Sequence, residues 1–393
     1  MAAFGNIHTL QGSSALELRS VWMQRLTLGG TTLLGAAIFM LGTCWDIQWH
    51  SFVGRDRTLI PPHIMMLSGI TLAGLAALTS VLIETLWTRR NPLLTRHTTE
   101  FAGLFRSSLG SYLAGFAALD AAIAFPLDAY WHSLYGIDVA IWAPFHIMIL
   151  VGGALIPLGA AYMLISVAQL AASRQDRTAT RVAYIGAIMA LATMLSISTY
   201  MLMDGLSNLG FINLGFAAFN LFPLLSGLVI ALIFTAAVQA IPWRRVATSI
   251  TLVYLFFAVL FTLFVPPATN ALVIAEHLAY RRSLGAFANL SVVVMQGWNL
   301  TPLLAALLID YCYRRAQNKG WSMRRLMITI ALIAVLGALP VTPFRPVAIL
   351  NLALYLGAIG FSITLLLGLL GTSLGTWLGS GLGASMRQSE GVR

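Results

Sequence analysis

Apolar residues in this chain fall into long, nearly unbroken runs, and polar residues gather in the short intervals between them. Ten runs can be marked, at roughly 26–45, 63–88, 108–127, 144–171, 182–203, 217–241, 247–267, 286–312, 326–344 and 348–379. An alternating pattern would predict strands and a single apolar stripe would predict surface helices, and neither is present. Segments apolar on every face predict helices surrounded by protein or lipid. At 1.5 Å per residue each run spans a hydrocarbon layer of about 30 Å. The expected fold is therefore all-α, a polytopic membrane helix bundle of about ten transmembrane helices in one domain, 1–393. The last run is long enough to tilt, kink or break near Gly371–Gly375, where Gly-x-x-x-Gly spacing also suits close helix packing.

Composition sharpens this reading. The chain is 59% hydrophobic and 9% charged, with a mean hydropathy of +0.84, which excludes a water-soluble domain of this length. A net charge of +10 raises the question of nucleic acid. The basic residues, however, sit in short clusters between apolar runs, as they do in membrane proteins, so no nucleic-acid partner is expected. With the N-terminus in the cytoplasm, 18 of the 23 basic residues fall on the inner side. That split places both termini in the cytoplasm and the chain in the cell's inner (plasma) membrane, with the lipid bilayer as its surroundings. Residues 1–20 read as a polar, amphipathic leader that stays attached. Cys44 and Cys312 fall on opposite sides and cannot form a disulfide framework.

The chemistry concentrates in one outer interval and its near copy. The first reads Asp46-Ile-Gln-Trp49-His50, then Gly54-Arg55-Asp56 and Pro61-Pro62-His63. Eighty-two residues later come Asp128-Ala-Tyr-Trp131-His132, then Gly136-Ile137-Asp138 and Pro144-Phe-His146, with one extra residue before the final His. The match continues as Ile64/Ile147, Met65/Met148, Leu67/Leu150 and Gly69/Gly152. This suggests tandem hairpin repeats, 20–103 and 104–181, followed by six further helices in 182–393. Asp and His four apart share a helix face. A second His just after a Pro opens the next helix. Two imidazoles and a carboxylate suit copper, zinc or non-haem iron and leave positions open for water or substrate. Thus Asp46, His50 and His63, and Asp128, His132 and His146, are the candidate metal ligands. Asp56 and Asp138 are placed to orient an imidazole from behind. Trp49 and Trp131 suit an interfacial aromatic belt.

The first interval resembles the copper-site motif in a membrane subunit of the particulate methane monooxygenase and ammonia monooxygenase family. Asp46-x3-His50-x12-His63 has that spacing, and Trp49, Arg55-Asp56 and Pro61 extend the likeness. The resemblance implies copper held by Asp46, His50 and His63 at the outer face of the membrane. It implies oxidation of a small apolar substrate with O2, an electron donor, and partner membrane subunits. The second copy departs from the pattern through its longer loop and through Ile137 in place of Arg.

Other residues are weaker candidates. Glu276 and His277 would add ligands if the fourth outer interval folds over the first two. Asp120, two turns before Asp128, suits a proton relay or a helix–helix hydrogen bond. Asp204 and Asp310 are acids in apolar surroundings. Met65, Met66, Met148 and Cys44 offer sulfur near the motif, although packing explains them as well. The rival readings are a metal transporter, whose path the buried acids would mark, and a structural membrane subunit.

Overall fold

The computed structural model describes residues 3–54, 59–136, 143–208, 210–281, 300–339 and 348–388. Within the helices, side chains are described except at 3–17, 200–201, 203–208 and 348–349. The helices are α1 (Ala3–Phe52), α2 (Pro61–Arg90), α3 (Leu109–Tyr135), α4 (Pro144–Ser173), α5 (Arg177–Asn208), α6 (Phe222–Ala240), α7 (Val246–Ala275), α8 (Thr301–Lys319), α9 (Met323–Ala338) and α10 (Ala348–Gln388). Two small antiparallel hairpins interrupt them, β1–β2 (Thr99–Phe101, Phe105–Ser107) and β3–β4 (Phe211–Asn213, Ala218–Asn220). Among the described residues eight helices, α1 to α7 and α10, are long and apolar enough to cross a membrane. The chain is an all-α, multi-pass membrane bundle.

Helix α4 is the centre of the first half. Its residues from Gly152 to Ala171 are almost all buried, against α1, α3 and α5. Small residues let the backbones approach. A Cβ on Gly69 would lie 2.5 Å from Gly35 O and Phe39 N, and one on Gly152 would lie 2.7 Å from Ala117 O and 3.0 Å from Ala121 N. Ala117 and Ala121 stand 82 residues after Gly35 and Phe39, so the α1–α2 and α3–α4 hairpins cross at matched positions. Between the hairpins the Phe39 ring fills the space beside Gly153, and Gly29 meets Met163. Helices α1 and α4 are therefore antiparallel, which puts the α1–α2 and α3–α4 loops at one end of the bundle.

Near the other end lies a buried charge cluster. Arg25 Nε and Nη2 donate to the two carboxylate oxygens of Glu84 at 2.8 and 2.7 Å, and the side chains are 0% and 1% exposed. Arg25 also donates to Ser166 Oγ at 2.6 Å and to the His97 carbonyl at 2.6 Å. Ser80 bonds Glu84 and receives bonds from Gln24 and Ser111. One guanidinium thus ties together α1, α2, α4 and the 3-10 turn Pro92–His97, with α3 joined through Ser111.

In the second half, α10 lies along α6 on a row of glycines. A Cβ on Gly371, Gly375 or Gly379 would overlap the carbonyl of Leu224, Leu228 or Leu232. Asp310 is buried against the start of α7. Its carboxylate accepts from Ala247 N at 3.2 Å, Thr248 N at 2.8 Å and Thr248 Oγ1 at 2.6 Å, capping the start of α7 from the neighbouring helix α8.

Several expectations change. The backbone break in the last run is at Gly357, with φ +66°, a conformation glycine tolerates. Gly371 and Gly375 serve packing. The run expected from 217 begins as helix only at Phe222, because 211–220 pairs as a β-hairpin. The amino-terminal leader continues α1. Residues 286–299 of the eighth run, the Pro340–Pro343 turn and the side chain of Asp204 lie outside the described residues.

Removing Arg25 strands a buried carboxylate. Arg25→Ala is expected to cost about 3–5 kcal/mol, whereas Arg25→Met with Glu84→Met recovers most of that loss. Thermal unfolding of the detergent-solubilised protein, followed by size-exclusion monodispersity, measures both. Equal loss in the single and double variants would refute the pairing.

Candidate metal centres

Each centre is built from the end of one helix and the start of the next. Asp46 and His50 occupy one face of α1 close to its carboxyl end. Gly54, φ +71°, turns the chain out of the helix. Ile60 is extended, as a residue before proline must be, and Pro61 and Pro62 open α2. His63, the third residue of α2, is thereby swung back toward α1. The second centre repeats this logic. Gly136, φ +84°, follows His132 by four residues, as Gly54 follows His50. Ala143 is extended, Pro144 opens α4, and His146 is again the third helical residue. The extra residue of the second copy falls between Gly136 and His146.

The side chains converge. In the first centre Asp46 Oδ1 lies 3.0 Å from His63 Nε2 and 3.3 Å from His50 Nε2. In the second, Asp128 Oδ2 lies 3.3 Å from both His132 Nε2 and His146 Nε2. All three donor atoms of each set lie within 4.8 Å of one another. The imidazole rings are 6.0 Å apart in the first centre and 5.6 Å in the second. Bonds of about 2.0–2.1 Å meeting at about 90–110° place neighbouring donors about 2.9–3.4 Å apart, so these spacings fit a shared metal ion.

Hydrogen bonding points the same way. His132 Nδ1 lies 3.1 Å from the Gly136 carbonyl, which can only accept. The Nδ1 proton is thereby held on the far side, and in the neutral ring Nε2 presents a lone pair toward Asp128. Asp46 Oδ1 is buried and faces two imidazole nitrogens within 3.3 Å. The half-buried Asp46 carboxylate and the two imidazoles form a donor set that could hold a cation. Asp46 also faces the positive end of α2, which complements its charge.

The two centres are neighbours. His63 packs edge-on against Phe125 of α3, at a ring distance of 6.2 Å, one turn before Asp128. They are sheltered differently. The end of α7 folds over the first, with Arg281 N donating to Phe52 O at 2.7 Å and Val273 packed on Trp49, Val53 and Ile60. Trp49 is consequently 1% exposed and belongs to a small core, not to an interfacial belt. Trp131 is half-buried and lies tilted against Tyr135, 4.4 Å between rings, with Phe145 edge-on.

The weaker candidates separate. The chain after α7 does fold over the first hairpin, but Glu276 and His277 join neither donor set. Their place is explained by apolar contact of Val273, Leu278 and Tyr280 with Trp49 and its neighbours. Asp120 is half-buried on α3 and outside both sets. Met66 packs against Gly42, Met148 against the core, and Cys44 is fully buried in that core. Asp56 and Asp138 lie outside the described residues. Phe125 is the part that sequence reasoning missed. It sits one turn before the candidate ligand Asp128, which was its only signal.

No protein-family model, curated protein or solved structure matches the chain.

Each centre needs two neutral imidazoles. Metal affinity is therefore expected to fall as the medium is made acidic, with protons released as the ion binds. Equilibrium dialysis against Zn2+ between pH 8 and 5 measures this. A flat profile would remove the histidines from the ligand set.

Proposed function

We propose that the chain is an integral membrane metalloprotein that holds copper in two Asp–His–His centres, one in Asp46, His50 and His63 and one in Asp128, His132 and His146. The observation that carries this reading is the repeated convergence of two imidazole nitrogens on one carboxylate oxygen at 3.0–3.3 Å. Zinc and non-haem iron accept the same donors. Copper is preferred on the likeness to the copper-site motif of the methane and ammonia monooxygenases, which rests on the motif residues alone. The charge distribution supports ten crossings, with α8 and α9 as the remaining pair, both termini cytoplasmic, and the centres facing the periplasm or exterior of an inner (plasma) membrane.

Bound copper would supply one-electron chemistry and O2 activation, with electrons from a donor or a partner membrane protein. The chain's own residues do the rest. Three donors per centre leave positions open to water or substrate. The Gly136 carbonyl orients His132, and Phe125 gives the first centre an apolar wall suited to a small hydrophobic substrate. The oxidation reading is favoured over transport by the packing beneath the centres. There Phe39, Met40, Ile149, Leu150 and Ile156 are buried. A conducted ion would meet no ladder of polar groups among them.

Purified protein loaded with Cu2+ is expected to bind two ions per chain and to give an EPR spectrum with nitrogen hyperfine structure. His63→Ala and His146→Ala each lose one ion, and the double variant loses both. Unchanged copper content in the double variant would overturn the assignment.

A further inference from the structure

The end of the bundle away from the centres holds two cavities on either side of one turn. The α6–α7 turn, residues 241–245, separates them. On one side, between this turn and the start of α5, is a cavity of about 1110 Å³ lined by Arg177, Arg181, Thr180, Tyr184 and Trp243. On the other side is one of about 540 Å³ lined by Arg244, Arg314, Arg315, Lys319 and Tyr311. No carboxylate lines either cavity. The nearest acid along the chain, Asp176, is occupied: its Oδ1 accepts from Ala179 N at 2.9 Å and caps α5. None of the ion pairs among the described residues uses these arginines.

Both cavities also open onto exposed apolar stripes. Below Arg181, the exposed residues Val182, Ile185 and Met189 follow one face of α5. Below Arg314, Tyr311, Leu307 and Leu304 do the same on α8. Trp243 stands edge-on to Tyr184, 6.0 Å between rings, as an aromatic wall at the level where chain and headgroup would meet. A cationic pocket continuous with an apolar track matches an anionic amphiphile. A soluble anion would need only the pocket. Arginine suits phosphate in particular, because its planar fork donates two parallel hydrogen bonds.

We propose that the two cavities flanking the α6–α7 turn bind anionic phospholipid, with phosphate held by Arg177 and Arg181 on one side and by Arg244, Arg314 and Arg315 on the other, and acyl chains lying along the α5 and α8 stripes. The site is separate from the metal centres and does not depend on their occupancy. A general attraction of basic loops to an anionic membrane would not require cavities, so a second basic pair at the same end serves as control. Arg89 and Arg90, at the end of α2, are such a pair and line neither cavity.

The test is native mass spectrometry of the full chain in neutral detergent, titrated with phosphatidylglycerol, with phosphatidylcholine, and with inorganic phosphate as the headgroup chemistry alone. Phosphatidylglycerol adducts are expected to persist where phosphatidylcholine adducts dissociate. Arg177→Gln with Arg181→Gln should weaken one of the two bound lipids by about tenfold or more, on the order of the electrostatic contribution of two arginines, and leave the other in place. Arg89→Gln with Arg90→Gln should leave them within a factor of about two. Should the first pair fail to fold, Arg244→Gln with Arg315→Gln gives the same reading from the other cavity. Equal retention of the two lipids, equal loss in the control pair, or inorganic phosphate displacing the lipid at comparable concentration would each overturn the proposal.

Discussion

An ion pair with no access to water sets the register of the first four helices. Arg25 and Glu84 cannot separate without leaving a charge in an apolar interior, a cost of several kcal/mol. Helices are stiff, and Arg25 is 21 residues from Asp46, about 31 Å along α1. A slip of one turn, about 5.4 Å, would break the pair at one end and carry Asp46 past His63 at the other. The contacts between form a consistent ladder. Arg25 faces Glu84, Gly35 faces Gly69 and Ala73, Gly42 faces Met66 and Pro62, and Asp46 faces His63. The glycines allow the close approach and the ion pair chooses the register. The donor set at the far end follows from both.

The second hairpin reaches the same geometry by other means. The position matching Arg25 is Ser107, and that matching Glu84 is Val167, so no ion pair forms at these two positions. It is fixed instead by packing of α3 and α1 on α4, and through Ser111 and Ser166, which enter the first hairpin's network. Four helices share a single charged pair. A second buried pair would add another desolvation cost, whereas serine hydroxyls on the neighbouring hairpin extend the existing one at little cost.

The apolar runs and the motif were legible because their signals are local. Among the described residues eight helices long and apolar enough to cross a membrane fall on the long runs, and Asp-x3-His before a Pro-opened helix states its own geometry. What escaped the sequence depends on partners far along the chain. Arg25 reads as one more basic residue near a membrane boundary and Glu84 as a stray acid, since nothing in either neighbourhood names the other, 59 residues away. Trp49 and Trp131 are equivalent by position yet differ in burial, because α7 returns over one hairpin and not the other. Asp310 illustrates the same limit: an acid in an apolar run suggests function, but its role is set by the first amides of a helix 62 residues earlier. Glycine's two uses also separate only in three dimensions. Gly357 supplies a left-handed residue, whereas Gly371 and Gly375 supply the absence of a side chain.

The position of the centres follows from parity. A unit of two antiparallel helices returns the chain to the side on which it began, so a second such unit presents its loop at the same end as the first. A unit with an odd number of crossings would have put the two donor sets on opposite ends. The antiparallel contact of α1 with α4 then brings the sets side by side, close enough for Phe125 of one hairpin to touch His63 of the other. Their shared end and their adjacency need no feature beyond helix count and the α1–α4 contact. What does need explanation by chemistry is that both sets keep a carboxylate and two imidazoles in register while the packing around them differs. Packing alone would accept many residues at Asp46, His50 and His63. A half-buried donor set at a helix end is less costly where a cation can sit among its lone pairs, and this chain builds such a set twice.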